Sequence, residues 1–270
     1  MDESSDAIAP ADPTAALDPA MIEHALTASL LPFNLRYFPT LDSTNTYAMR
    51  RASGAAQEGL VIIADHQFAG RGRMGRAWEG FPRRQLTFSV VLAPPFPAYW
   101  LMMASALSVQ EAIGAVTGLT AAIKWPNDVL VGGKKVCGIL IETSGDVAVV
   151  GVGVNVNGSL AQRPELAERA TTLQDETGVL VSREALAAEI LLTFARHYTA
   201  MRARGAAGRA AVRAAWRERL MTLGRDVRVA QGATHVSGWA EDVESDGALV
   251  VRQPNGERTI IRWGDVDIAR

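Results

Sequence analysis

The sequence predicts an α+β fold, a mixed β-sheet with helices followed by a small all-β barrel, and three observations predict it. Apolar, β-branched runs such as "GLVIIADHQ", "QLTFSVVLA" and "VAVVGVGVNVN" read as buried strands. Helical segments fall between such runs irregularly, so the βαβα alternation of a doubly wound parallel sheet is not sustained. From Gly224 the texture changes to short alternating strands with turns at Ser245-Asp246-Gly247 and Pro254-Asn255-Gly256, which suits a barrel of about 45 residues.

Each element follows from local chemistry. Residues 1 to about 17, rich in Ala, Asp, Ser and Pro, read as a mobile tail. "DPAMIEHALTASLL" starts a short helix with Asp18 as its cap, and "NLRYFPTL" is a strand. "STNTYAMRRASG" is a second helix, capped by Ser43 or Thr44 and stopped by Gly54. Strand "GLVIIADHQ" runs into a glycine–arginine loop, after which come strand "QLTFSVVLA", a helix over 98–117 and strand "AAIKWP". "DVLVGGKKVCGILIETS" is a hairpin turning at Gly132-Gly133, followed by "VAVVGVGVNVN". Helices are expected near 183–202 and 206–220.

Composition narrows the function classes. With 48% apolar and 21% charged residues the chain can bury a full core. Its 27 Lys and Arg against 29 Asp and Glu leave a net charge of -2, which argues against a protein-wide nucleic-acid footprint. The single cysteine, Cys137, excludes an internal disulfide framework and suits a reducing cytoplasm. Residues 86–110 carry no charge, but Pro94, Pro95 and Pro97 cut the run into pieces shorter than the roughly 20 residues of a span. A cytoplasmic protein without a membrane partner is expected.

The stretch "DHQFAGRGRMGRAW" (65–78) sets Gly70, Gly72 and Gly75 as G-x-G-x-x-G, with Arg71, Arg73 and Arg76 among them. A dinucleotide-binding turn would open a helix here, and "RAWEGFPRR" has no helical period. Glycine lets the backbone fold over a ligand, and each guanidinium can grip a carboxylate or phosphate through two bonds. Such a loop is costly to order when empty, so it is expected to order around an anion. The four histidines have no metal-ligand spacing, no G-x-S-x-G elbow is present, and "GGKK" lacks the spacing of a P-loop.

"DSTN" (42–45), "Q-x-x-G-R-G-R-x-G-R-x-W" (67–78), "KWPND" (124–128), "GKKVCGILIE" (133–142) and "GVGVNVN" (151–157) stand in the order seen in biotin protein ligases. The chain resembles that family from about residue 35 to 270. The resemblance implies a catalytic domain over 35–222, of the class II aminoacyl-tRNA synthetase and biotin ligase type. It also implies an SH3-like domain over 223–270, with 1–34 as tail and short helix.

The chemistry so implied uses ATP and biotin as substrates, with Mg²⁺ on the ATP oxygens. Biotinyl-adenylate forms first, and biotin then passes to a lysine of a biotin carboxyl carrier protein. By the resemblance, Ser43, Thr44, Asn45, Gln67, Arg71, Gly72, Arg73, Lys135 and Gly138 bind biotin. Arg71, Arg73, Arg76, Lys124, Asn127, Asp128 and Asn155 bind ATP or the adenylate, Asp128 being the candidate metal ligand. Lys135 and Arg73 are the expected catalytic residues. Strand alternation sends Lys134 to the other face, and Trp125 and Cys137 are read as packing residues.

The sequence departs from the family's G-x-N-L-Y-x-S segment at "RRQLTFS" (83–89) and places Met74 where a polar residue is usual, changes expected to bear on loop packing. Three other readings stay open. They are a lipoate ligase or octanoyl transferase of the same fold, a biotin-responsive DNA-binding repressor, and a non-catalytic biotin sensor. Too few basic residues precede "DSTN" for DNA to be an expected partner, and a homodimer is left open.

Overall fold

A computed structural model describes residues 15–52 and 57–269, and the side chain of Gln162 is not described. Seven strands form the larger sheet: β1 (Asn34–Phe38), β2 (Leu60–Ala64), β3 (Leu86–Leu92), β4 (Ala121–Lys124), β5 (Asp128–Val131), β6 (Lys134–Ser144) and β7 (Val147–Val154). They lie in the order β1-β2-β3-β7-β6-β5-β4. Only β1 and β2 run parallel, joined through helix α2 (Thr44–Arg51), and the other pairs are antiparallel. The mixed sheet is as expected, and the β-branched strands β2, β3 and β7 are buried along their whole length.

Period-2 alternation gives the sheet two different faces. One face packs against α1 (Pro19–Ala25), α3 (Tyr99–Thr117), α6 (Arg183–Ala203) and α7 (Gly205–Glu218) in the main core. The other face is covered only in part, where Ala48 of α2 packs on Leu60, Ile62, Val91, Val147 and Val149. Continuing along the same face, β7 passes from Val147 and Val149 to Gly151 and Gly153, and β3 passes from Val91 to Ser89. The chain thus stops supplying apolar side chains beyond α2, leaving a trough floored by backbone.

Caps fall where the sequence places them. Asp18 accepts from Ala20 N at the start of α1, and Ser43 caps α2 by accepting from Thr46 N. Helix α2 ends at Arg51, and Gly54, the expected stop, lies outside the described residues. Two short helices not anticipated from sequence, α4 (Pro164–Ala167) and α5 (Leu173–Thr177), follow β7.

The expected tail is a correction at its last residues. Leu17 is buried, its amide donates to Asp65, and the Ala15 carbonyl accepts from Arg183. Arg183 and Asp65 form a buried ion pair at 2.7 Å, with side chains 6% and 2% exposed. Tyr37 donates to Asp65 as well, and burial, then that carboxylate, push its hydroxyl up to about 12. Asp65 follows directly on β2 where the glycine–arginine loop begins, so this hub ties the loop's root to β1, to α6 and to the N-terminal segment.

The second sheet holds β8 (Asp226–Gln231), β9 (Thr234–Val243), β10 (Leu249–Arg252), β11 (Arg258–Ile261) and β12 (Asp265–Ile268), all antiparallel, in the order β11-β10-β9-β8-β12. Its apolar interior is continuous with the main core. Trp125, expected as a packing residue, is buried and donates from its indole to the Gly247 carbonyl at 2.8 Å, joining the two domains. Among the described residues no helix is long and apolar enough to cross a membrane.

Candidate active site

The 65–78 loop closes on itself before it closes on anything else. Gly72 N donates to Arg76 O at 2.7 Å and Trp78 N to Gly70 O at 2.9 Å, a miniature hairpin. Its tip passes through Met74 (φ 57) and Gly75 (φ 74). Glycine takes the left-handed region freely, while Met74 does so at a cost. Gly70 allows the close return, because a Cβ there would lie 2.5 Å from Trp78 O.

The loop roofs the trough, and two side chains use the space that three glycines leave. A Cβ on Gly151 would overlap the Asn45 amide. A Cβ on Gly153 would sit 2.5 Å from the Trp78 ring, and one on Gly138 2.9 Å from it. Gly138 and Gly153 are register partners, so their missing side chains make one continuous slot. In a strand, glycines at i and i+2 share a face, a spacing in "GVGV" from which this floor could have been read, although it was not singled out.

Twelve of the fourteen residues expected at the site line this one cleft. They are Ser43, Thr44, Asn45, Gln67, Arg71, Gly72, Arg73, Arg76, Asn127, Asp128, Lys135 and Gly138. Lys124 and Asn155 are outside that lining. Lys124 ends β4 with Asp128 as its register partner. The Asn155 side chain is held between Gln85 and the Thr171 carbonyl.

Every loop arginine has a partner within the chain. Arg71 pairs with Glu142 at 2.7 Å, Arg73 donates to Asn127 Oδ1 at 2.6 Å, and Arg76 pairs with Asp265 of β12 at 2.7 Å. These contacts within the chain offset part of the cost of ordering the loop. Burial pulls the Arg73 pKa down, opposed by Asp265 and Asp128, and a guanidinium remains a cation at neutral pH. Asp265 joins the cleft from the C-terminal domain, a placement no local pattern in the sequence reveals.

Lys135 reaches the cleft through a β-bulge. Leu130 pairs with Lys135 and Val129 with Cys137, so Val136 is the extra residue. Strict alternation would put Lys135 and Gly138 on opposite faces, and the bulge brings them to the same one. The ammonium lies 2.7 Å from Asp128 and 5.7 Å from the Trp78 ring centroid. Cys137 faces the core, where burial pushes its thiol pKa up, in keeping with packing and not reactivity.

At the other end stands a polar network. Gln67 Oε1 accepts from Thr44 N at 2.7 Å and Thr44 Oγ1 at 3.1 Å. Ser89 Oγ donates to Asn45 Oδ1 at 2.6 Å and lies 2.8 Å from Thr44 Oγ1. Asn45 Nδ2 donates to Glu142 Oε2 at 3.0 Å. Ser89 and Glu142 were not singled out from sequence, although both sit inside quoted motifs. Of the 83–89 departures, Arg83 takes φ 61 where the family pattern has glycine, and Gln85 accepts from the Trp78 indole.

A mixed sheet carrying a cation-roofed, glycine-floored cleft, with an antiparallel domain docked beside it, has the makings of a binding site for an anionic ligand, and the comparisons place it among the ligases. Residues 37–158 match the biotin/lipoate A/B protein ligase family, and 222–268 match the biotin protein ligase C terminal domain. The biotin--[acetyl-CoA-carboxylase] ligase of Paracoccus denitrificans is 37% identical over 233 residues, covering 81% of this chain and 94% of that protein. The Mycobacterium tuberculosis enzyme of that name is 37% identical over 234 residues, covering 83% and 85%. The structure of an Aquifex aeolicus biotin protein ligase in complex with biotin and ATP superposes with a TM-score of 0.76 at 29% identity, covering 88% of this chain and 99% of that one. The chain belongs to the biotin protein ligase family.

Proposed function

We propose that the protein activates biotin with ATP and transfers it to a lysine of a biotin carboxyl carrier protein. The carrying observation is that Lys135, Arg71 and Arg73 converge on one cleft also lined by Ser43, Thr44 and Asn45, with the buried Ser89 bonded to the last two from behind. A carboxylate oxygen of biotin attacks the α-phosphorus, the α–β phosphoanhydride bond breaks, and pyrophosphate leaves. The acceptor amine then attacks the acyl carbon, loses a proton, and AMP leaves. Negative charge grows on phosphate oxygens in the first step, where fixed cations stabilise the transition state more than the ground state.

The roles follow the geometry. Lys135 and Arg73 neutralise the carboxylate and α-phosphate, and Arg76 supports the loop through Asp265. Ser43, Thr44 and Asn45 offer short hydroxyls and an amide to the ureido ring, whose unpaired polar groups would each cost about 1–3 kcal/mol, and Ser89 orients Thr44 and Asn45 from behind.

Mg²⁺ fits one arrangement of these residues. No cluster of three His, Cys, Asp or Glu exists among the described residues, and Asn127 Oδ1 is engaged by Arg73. The carboxylates lining the cleft are Asp128, paired with Lys135, and Asp265, paired with Arg76, which suits an ion held chiefly by nucleotide phosphates and water with Asp128 as its protein ligand. Bound there, it would screen the ATP oxygens.

Two expected results test the reading. With ATP and Mg²⁺, the protein releases pyrophosphate when biotin is added and not when lipoate is added, and it labels a carrier domain. Absence of biotin-dependent release would leave only a binding protein. Gly151→Ala should displace Asn45 from Ser89 and Glu142 and weaken biotin binding about tenfold or more by calorimetry, the worth of one or two hydrogen bonds. An unchanged Kd would place biotin elsewhere.

A further inference from the structure

The indole of Trp78 is oriented from behind. Its Nε1–H donates to Gln85 Oε1 at 3.2 Å, and Gln85 Nε2 donates to Asn155 Oδ1 and to the Glu79 carbonyl, each at 3.2 Å. Asn155 Nδ2 donates in turn to the Thr171 carbonyl at 3.1 Å. A carbonyl can only accept, so Asn155 must turn its nitrogen to Thr171 and its oxygen to Gln85. Gln85 must then turn its nitrogen to Asn155 and its oxygen to the indole. The Thr171 carbonyl sets the polarity of Asn155, and the Glu79 carbonyl and the indole N–H set that of Gln85 in the matching sense.

Gln85 is buried, and a Cβ on Gly80 would fall on its amide, so the glycine vacates the space the relay needs. The segment that carries the Thr171 carbonyl also clasps Lys135. Lys135 N donates to Arg169 O and Thr171 N donates to Lys135 O, both at 2.9 Å. One short segment therefore holds the main chain of Lys135 and, through two amides, the ring beside its ammonium.

We propose that Gln85 and Asn155 are positioning residues for adenylate formation, acting through Trp78; this rests on the ligase reading. They keep the indole seated on the Gly138–Gly153 slot, so that Lys135 and the loop arginines meet across a cleft of constant width. Gln85 stands where the family pattern has asparagine, and its longer side chain spans the gap between Trp78 and Asn155.

The test uses the full chain. In ¹⁵N-labelled, ligand-free protein, Trp78→Phe identifies the Trp78 indole resonance among those of the six tryptophans. Gln85→Met, and the isosteric Gln85→Glu, which sets oxygen against Asn155 Oδ1, are expected to shift it. Asn155→Asp is expected to shift it too, although Asn155 does not touch the ring. Gln85→Met should slow single-turnover adenylate formation about tenfold, the worth of one neutral hydrogen bond, with the biotin Kd changed less than about threefold. In a Trp78→Phe background, which has no N–H to hold, the same substitution should cost nothing further.

An indole resonance unmoved by Asn155→Asp overturns the relay. So does an equal tenfold loss in the Trp78→Phe background, since Gln85 would then be only a packing residue. Should wild-type protein release no pyrophosphate with biotin, the ligase reading fails by itself, and the ligand-free resonances still decide whether the relay exists.

Discussion

Lys135→Ala is expected to slow biotinyl-adenylate formation by about 10²–10³-fold, a loss of the size seen when one preorganised charge or donor is removed from a transition state. Biotin affinity should fall less, about tenfold at most, because the ammonium acts chiefly on charge that develops during phosphoryl attack. Removing it also strips Asp128 of its partner at 2.7 Å, leaving a bare carboxylate beside the incoming phosphates. Lys135→Arg keeps the charge but changes its reach, so partial recovery is expected. Pyrophosphate release in a single turnover and calorimetric biotin binding separate the two quantities. Equal losses in both would reduce Lys135 to a ligand contact.

Arg183→Ala is expected to destabilise the fold by about 3–5 kcal/mol, the range for breaking one side of a buried ion pair. Asp65 would keep Tyr37 and the Leu17 amide but lose its counter-ion, and the carbonyls of Ala15 and Gln85 would lose a donor. A domain holds only about 5–15 kcal/mol in all, so the urea midpoint should drop sharply with m unchanged. Pairing Arg183→Met with Asp65→Asn removes both charges and should restore much of the loss. A single substitution costing under about 1 kcal/mol would show that water reaches the pair.

The two results bear on each other through the loop. Asp65 anchors its root, and the Asp65 carbonyl accepts from Arg83 N just before Gln85. Stability and site geometry are therefore joined at one buried hub, whose members lie 118 positions apart in the chain.

Much of this was legible in sequence. Strands β2, β3 and β7 announce themselves by runs of β-branched residues, and the change of texture at Gly224 marks the second domain. Asp18 was readable as a cap, and the cap of α2 as Ser43 or Thr44, because capping is a local contact between residues two or three apart; the structure chooses Ser43. Twelve of the residues that line the cleft were named by motif matching. Ser89 and Glu142 were missed because a serine or glutamate in a strand has no distinguishing local pattern until its neighbours across the sheet are known.

Sequence alone determined the order and type of the main elements, the cation-rich loop and the family resemblance. All of these depend on residues near one another along the chain. Tertiary structure decided the partners. Arg71 meets Glu142 across 71 positions and Arg76 meets Asp265 across 189, and the bulge at Val136 turns Lys135 toward Gly138. A long side chain's partner depends on where two distant backbones finally lie, and no periodicity of 2 or 3.6 residues carries that information.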